Sequence, residues 1–248
     1  MPTVPTSRRA AKSAAAKSSA APKGKKPPAK TAVPKPSRAR GPGKAAAPYH
    51  HGDLRHALLL AAEKILDREG LPALTLRAVA REAGVSHAAP AHHFGDLAGL
   101  CSELAAVGFH RFNEAMQQAS TEASTPAEQA LARGHAYVAY ARAHPGLYQL
   151  MFRTDRMDLQ HPALNAAASL AFSALARNVG TVRNEPIDED ALSLAQAAAI
   201  AQVWSTMHGF TMLLLDGRLD DLASRVTGGA DTSMLLDTML AAWRSRPV

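Results

Sequence analysis

From residue 53 to about residue 120 the apolar positions recur at intervals of three and four, the signature of helices with one buried face. Leu54, Leu58, Ala61, Ala62 and Ile65 share one side of a first helix, 53 to 69, which stops at Gly70. Thr75 is placed to cap a second helix, and Leu74 before it can pack on Val79 one turn in. Leu76, Val79, Ala80 and Ala83 form that helix's stripe, with Arg77, Arg81 and Glu82 off it. Gly84 supplies the positive φ that ends a helix cheaply, Val85 anchors the turn in the core, and Ser86 is read as the cap of a third helix, 87 to 94. There Ala88, Ala89 and Ala91 alternate with His87, His92 and His93, and small side chains permit close approach to a partner. Asp96 is placed to cap a fourth helix, 97 to about 120, carrying Leu100, Leu104, Val107, Phe109 and Phe112.

The helical pattern continues to the end of the chain. Helices are expected at 126–143, 147–153, 162–182, 188–216 and 232–244, with Pro126 at a first helical position and a break at His144-Pro145-Gly146. Strand signals are nearly absent. The expected fold class is all-α: a three-helix helix-turn-helix unit at 48–96, then a larger helical domain at 97–248. A helix–glycine–helix unit of the first kind places its second helix in a DNA groove.

Charge adds a third region. Residues 1–47 hold twelve Lys and Arg and no acidic residue, which leaves sixteen basic against twenty-one acidic residues in the rest. All the surplus of a chain with net charge +7 therefore sits in an Ala/Lys/Pro-rich tail that cannot bury a core and is expected to be disordered. A non-specific DNA-binding arm, acting by counterion release, is the leading reading of it. A solubilising extension and a targeting peptide are the alternatives; it lacks the apolar stretch of a secretory signal.

Other chemistries find little support. Cys101 is the lone cysteine, so no internal disulfide is possible; packing is its expected role, with a redox sensor the alternative. No uninterrupted apolar run reaches spanning length, so a soluble, cytoplasmic protein with no membrane partner is expected. There is no phosphate-cradling glycine loop, no Gly-x-Ser-x-Gly, no His-Glu-x-x-His and no supported carboxylate pair, so no catalytic residue, cofactor or enzyme activity is expected. His50, His51, His87, His92 and His93 invite a zinc site, but His92 and His93 diverge by about 100° on a helix and no further cysteine or carboxylate completes a tetrahedron. No metal is expected.

Taken together, Tyr49 to Arg55, Ala61-Ala62, Gly70, Thr75, Val79-Ala80, Ala83-Gly84-Val85-Ser86 and His93-Phe94 resemble the N-terminal domain of TetR-type transcriptional regulators, over residues 49–112. The resemblance implies a double-stranded DNA operator, a homodimer and a small-molecule effector. It points to His87 for a base edge and to Thr75, Arg77, Ser86 and His92 for phosphate, with Ala88, Ala89 and His93 in the same contact set. Ala91 and Leu97 depart from it, since relatives have Tyr and Lys there as phosphate contacts. In the second half, Trp204 to Gly209 and His144 to Phe152 resemble a C-terminal domain of these regulators named for a Trp-His-Gly pattern. Trp204 and His208 are four apart and share a helix face, while Gly209 is read as admitting a neighbouring helix. Either they line a pocket or they are a buried Trp and a hydrogen-bonded His. The implied effector-binding set is Tyr137, His144, Tyr148, Met151, Phe152, Trp204, Met207 and His208. These are mostly uncharged, and 204–212 carries no Lys or Arg, which suggests an apolar or weakly polar effector.

Residues 107–116 are expected to couple effector to DNA. Leu194, Ala197, Ala198, Ala201, Leu235, Leu236, Met239, Leu240 and Trp243 are expected to form a four-helix isologous dimer interface. A repressor released by its effector is the implied function, because most relatives repress. An architectural protein binding DNA non-specifically through the tail is the alternative.

Overall fold

Ten α-helices and no strand make up residues 51–244, the part of the chain that the computed structural model describes. The tail at 1–47, His50 and the side chains of His51 and Trp243 lie outside the described residues. The helices are α1 (His51–Glu69), α2 (Leu76–Glu82), α3 (Ala89–Phe94), α4 (Leu97–Ala119), α5 (Pro126–Ala143), α6 (Pro145–Met151), α7 (Pro162–Arg183), α8 (Leu194–Leu215), α9 (Arg218–Ser224) and α10 (Thr232–Arg244).

Local chemistry sets most boundaries. The Thr75 hydroxyl accepts the Ala78 N–H at 3.1 Å, and the Asp96 carboxylate accepts the Gly99 N–H at 2.9 Å. Gly84 sits at φ 68 between α2 and α3. α3 is shorter than expected: it begins at Ala89, and no side chain caps it. Pro90 has no N–H to give the Ser86 carbonyl, so a turn closed from Ala89 N to Ser86 O at 3.0 Å takes the place of the first helical bond. Ser86 therefore acts through its backbone rather than its hydroxyl, and His87 and Ala88 are turn residues. α8 begins six residues later than 188, where Ser193 and Gln196 form a reciprocal capping box. The seven-residue α9 was not expected at all.

α4 is the axis. Leu100, Leu104 and Ala105 are wholly buried, and one apolar core runs from Leu58 and Ile65 of α1 past them to Tyr140, Leu147, Tyr148 and Leu164. α4 packs on α1, α3, α5, α6 and α7. The proposed domain boundary at 96/97 therefore coincides with the Asp96 cap and with no gap in the core. Cys101 is 1% exposed, and burial pushes its thiol up to about 11, which makes it a packing residue.

α8 is the helix that bears on the sequence reading of apolar runs. With 22 residues and a mean hydropathy of 1.2, it is long and apolar enough to cross a membrane by length and composition alone. In the fold it packs on α5, α7 and α9, with Ile200, Met207 and Thr211 buried, while Leu194, Trp204 and Leu213 stay exposed.

Candidate DNA-reading head and effector site

The α2–turn–α3 segment presents a definite outer face. Thr75, Arg77, Arg81, Ser86, His87, Ala88, Ala91 and His92 are exposed, Ala89 and His93 are half-buried, and Pro90 and Phe94 turn inward. Inward packing fixes the rod: the Arg55 guanidinium lies 5.5 Å from the Phe94 ring centroid and also pairs with Glu103 of α4, itself 7% exposed. His161, just before α7, brings Nε2 to 3.6 Å from the same carboxylate. A second link joins Glu63 of α1 to Arg111 of α4 at 2.6 Å, with His144 Nδ1 3.9 Å from Glu63. The head is thus tied to the body by two clusters centred on glutamates. Among the described residues no histidine, cysteine or carboxylate group could hold a metal ion.

The body carries a polar knot in an aromatic nest. The Tyr148 hydroxyl lies 2.8 Å from His208 Nδ1 and 2.9 Å from the Tyr137 hydroxyl. With Nδ1 as acceptor, Tyr148 donates to His208 and accepts from Tyr137. Phe112 packs edge-on to Tyr137 at 4.9 Å, and Phe152 to His208 at 4.5 Å. Burial pushes Tyr137 up to about 12, raises Tyr148 further, and holds His208 below its ordinary range. Thr211, wholly buried, is near enough to Tyr148 to bear on its ionisation, yet its hydroxyl makes no hydrogen bond of good geometry.

Beside the nest, Tyr140 donates to the Gly108 carbonyl in mid-α4 at 2.9 Å. Two glycines set α6 against its neighbours. A Cβ on Gly108 would stand 2.8 Å from Met151 Sδ, and one on Gly146 would stand 2.7 Å from the Leu66 carbonyl oxygen of α1. α6 is therefore wedged between the end of the reading head and α4.

Residues 58–104 match the family model described as bacterial regulatory proteins, tetR family, and residues 130–242 match a tetracyclin repressor-like C-terminal domain. The chain belongs to the tetR family. A protein of unknown function from Rhodococcus sp. RHA1 shares 34% identity over 80% of this chain and 98% of its own, with a TM-score of 0.64. A tetR-family regulatory protein from Rhodococcus RHA1 has 15% identity over 76% of this chain and 94% of its own, TM-score 0.52. A TetR-like transcriptional regulator from Rhodococcus sp. RHA1 has 16% identity over 79% of this chain and 97% of its own, TM-score 0.53. The last two show the shared fold. No curated protein matches. The protein is a DNA-binding transcriptional regulator of a family that regulates rather than catalyses.

The TetR-type body brings together only part of the residues expected to bind effector. Tyr148 contacts Tyr137, Phe152 and His208, and Phe152 packs on His208. Met151 is buried against Gly108, and His144 stacks on Tyr140 at 5.0 Å. Met207 belongs to a separate core with Val138, Leu236 and Leu240. Trp204 stands apart at 45% exposure, so the picture of a buried Trp beside its His does not describe it. Gly209 admits no neighbouring helix within the chain, since a Cβ there would meet nothing within 4 Å. Sequence reasoning missed Glu63, Glu103 and Arg111, whose partners lie far away in the chain, and Thr211, which only the fold buries beside Tyr148.

The His208 environment predicts a pH dependence. A histidine depressed by burial resists a proton that the unfolded chain takes up near the ordinary value of 6.5. Stability is therefore unaffected above that pH and falls as pH drops through it toward the depressed folded value. Urea unfolding between about pH 7 and 5 should show this loss, with a shallower acid limb in His208→Gln. Identical limbs would contradict it.

Proposed function

We propose that this regulator is a homodimeric repressor that releases its operator when a small molecule enters the C-terminal helices. The observation that carries the DNA reading is the turn before α3 together with α3, bare on His87, Ala88, Ala91 and His92 and pinned from behind by Pro90 and Phe94. His87 is assigned to a base edge, and Thr75, Arg77, Ser86 and His92 to phosphate, with Ala88, Ala89 and His93 completing the surface. The Thr75 hydroxyl already accepts one hydrogen bond as a cap, so its remaining role is to donate.

Pairing is supported by apolar side chains that the chain itself does not cover. Leu194, Trp204 and Leu213 of α8 are 87%, 45% and 43% exposed, and Met234 of α10 is 52% exposed. Two such pairs of helices would make a four-helix isologous contact and set two heads about 34–36 Å apart on one DNA face. The Tyr137–Tyr148–His208 knot is the proposed effector site, with the underbonded Thr211 as a further polar anchor. A ligand there acts only by favouring one head spacing over the other. Such a protein works on DNA in the cytoplasm.

Sedimentation equilibrium should give a dimer at micromolar concentration. Recovery of bound genomic fragments should yield a two-fold site whose complex survives about a thousandfold excess of unrelated DNA. Loss of the complex under that competition would instead make the protein an architectural binder, and a monomer would remove the paired heads.

A further inference from the structure

Three arginines of the described body are half-buried: Arg111, Arg133 and Arg183. Arg111 holds Glu63 at 2.6 Å and Arg183 holds Glu185 at 2.5 Å. Among the described residues Arg133 of α5 holds no carboxylate, although burial lowers its pKa. A guanidinium drawn partly out of water normally finds a carboxylate, because five donors need acceptors and the charge needs an opposite.

Arg133 opens into a cleft of about 250 Å³ between α4, α5 and α7. Across from it are Arg177 and Asn178 of α7 and Asn113, Met116 and Gln117 of α4. On both α4 and α7 the lining residues are spaced three and four apart, so each helix turns one continuous row inward. No acidic residue lines the cleft, and among the described residues none of its arginine or carboxamide side chains makes an internal hydrogen bond. Two arginines and three carboxamides line it without an anionic partner, and Met116 and Ala174 add a small apolar floor.

We propose that this cleft binds the carboxylate of a small organic acid, gripped between the Arg133 and Arg177 guanidinium groups. Guanidinium meets carboxylate through two parallel N–H···O bonds, which makes a paired-arginine site selective for planar oxyanions over neutral groups. The carboxamides orient the ligand's other polar atoms, and the floor takes a short apolar part. At this volume, below the roughly 300–1,000 Å³ of drug-sized pockets, only a compact ligand fits.

The inference goes beyond the effector knot at Tyr148, from which this cleft shares no residue. It also revises the expectation of an uncharged ligand, which came from one wall alone: the cations arrive from α5 and α7. Asn113 and Met116 lie in the stretch of α4 expected to couple effector to DNA.

The test uses the full-length protein without DNA, so a negative result leaves the operator reading standing. Sodium benzoate, sodium hexanoate, benzamide and inorganic phosphate are titrated at up to millimolar concentration by calorimetry and thermal shift. At least one of the two acids should bind saturably and raise Tm, with affinity falling tenfold or more in both Arg133→Met and Arg177→Gln, while benzamide does not bind. Arg133→Met keeps the aliphatic stem; should it fail to fold, the exposed Arg177→Gln decides alone. Acid binding unchanged in the variants, benzamide binding equally well, or no acid binding would overturn the proposal. Arginine-dependent binding of phosphate alone would reassign the cleft and overturn the carboxylate claim.

Discussion

Gly146→Val should lower Tm and weaken operator binding by more than the loss of folded protein explains. A Cβ at this position falls 2.7 Å from the Leu66 carbonyl oxygen and 2.9 Å from its carbon, and helical backbone, here held by the Gly70 N–H, cannot swing aside as a side chain can. Either α6 lifts off α1 or α1 shifts. Overpacking of this kind costs about 1–3 kcal/mol, or about 2–4 °C of Tm per kcal/mol for a chain of this size. The displaced helix also carries Arg55, which braces Phe94 behind the reading segment. Fluorescence anisotropy on operator DNA, at a temperature where the variant is fully folded by circular dichroism, separates the two effects. Gly209→Ala, where a Cβ meets nothing within 4 Å, serves as the contrast and should leave the chain's own stability intact or slightly raised. A valine at 146 with unchanged Tm and affinity would show that α6 is not a rigid stop against the head.

Tyr148→Ala should produce the largest stability loss of any single truncation in the Tyr137–Tyr148–His208 knot. The side chain is wholly buried, so the ring's removal leaves a cavity bordered by Phe152, Tyr137 and His208. Aromatic-to-alanine changes in such sites cost about 3–5 kcal/mol. Tyr148→Phe keeps the packing and removes one hydroxyl, leaving His208 Nδ1 and the Tyr137 hydroxyl without their shared partner, a loss of about 1–3 kcal/mol. Urea titrations of both variants beside the parent should therefore rank alanine well below phenylalanine, with phenylalanine below the parent. Equal stability of all three would show that neither the ring nor its hydrogen bonds hold α6 to α8.

The sequence by itself determined the parts whose causes lie within a turn of chain. Thr75 and Asp96 each cap a helix through an N–H three residues on, Gly84 supplies a left-handed stop, and Pro126 opens α5; these interactions are too short-ranged for packing to overrule. The same kind of signal was present and unread at Ser193 with Gln196, and at Pro90, whose missing N–H shortened α3. The tertiary structure alone decided which side chains share a site. Arg55 and Glu103 are 48 positions apart and Tyr148 and His208 are 60, and no periodicity records such meetings. Trp204 and His208 share a helix face in sequence, but α5 and α6 reach His208 and leave Trp204 bare. Whether a glycine permits a close approach, or an arginine finds a glutamate, depends on what the fold brings opposite it. That is why Gly146 proved tight, Gly209 open and Arg133 unpaired.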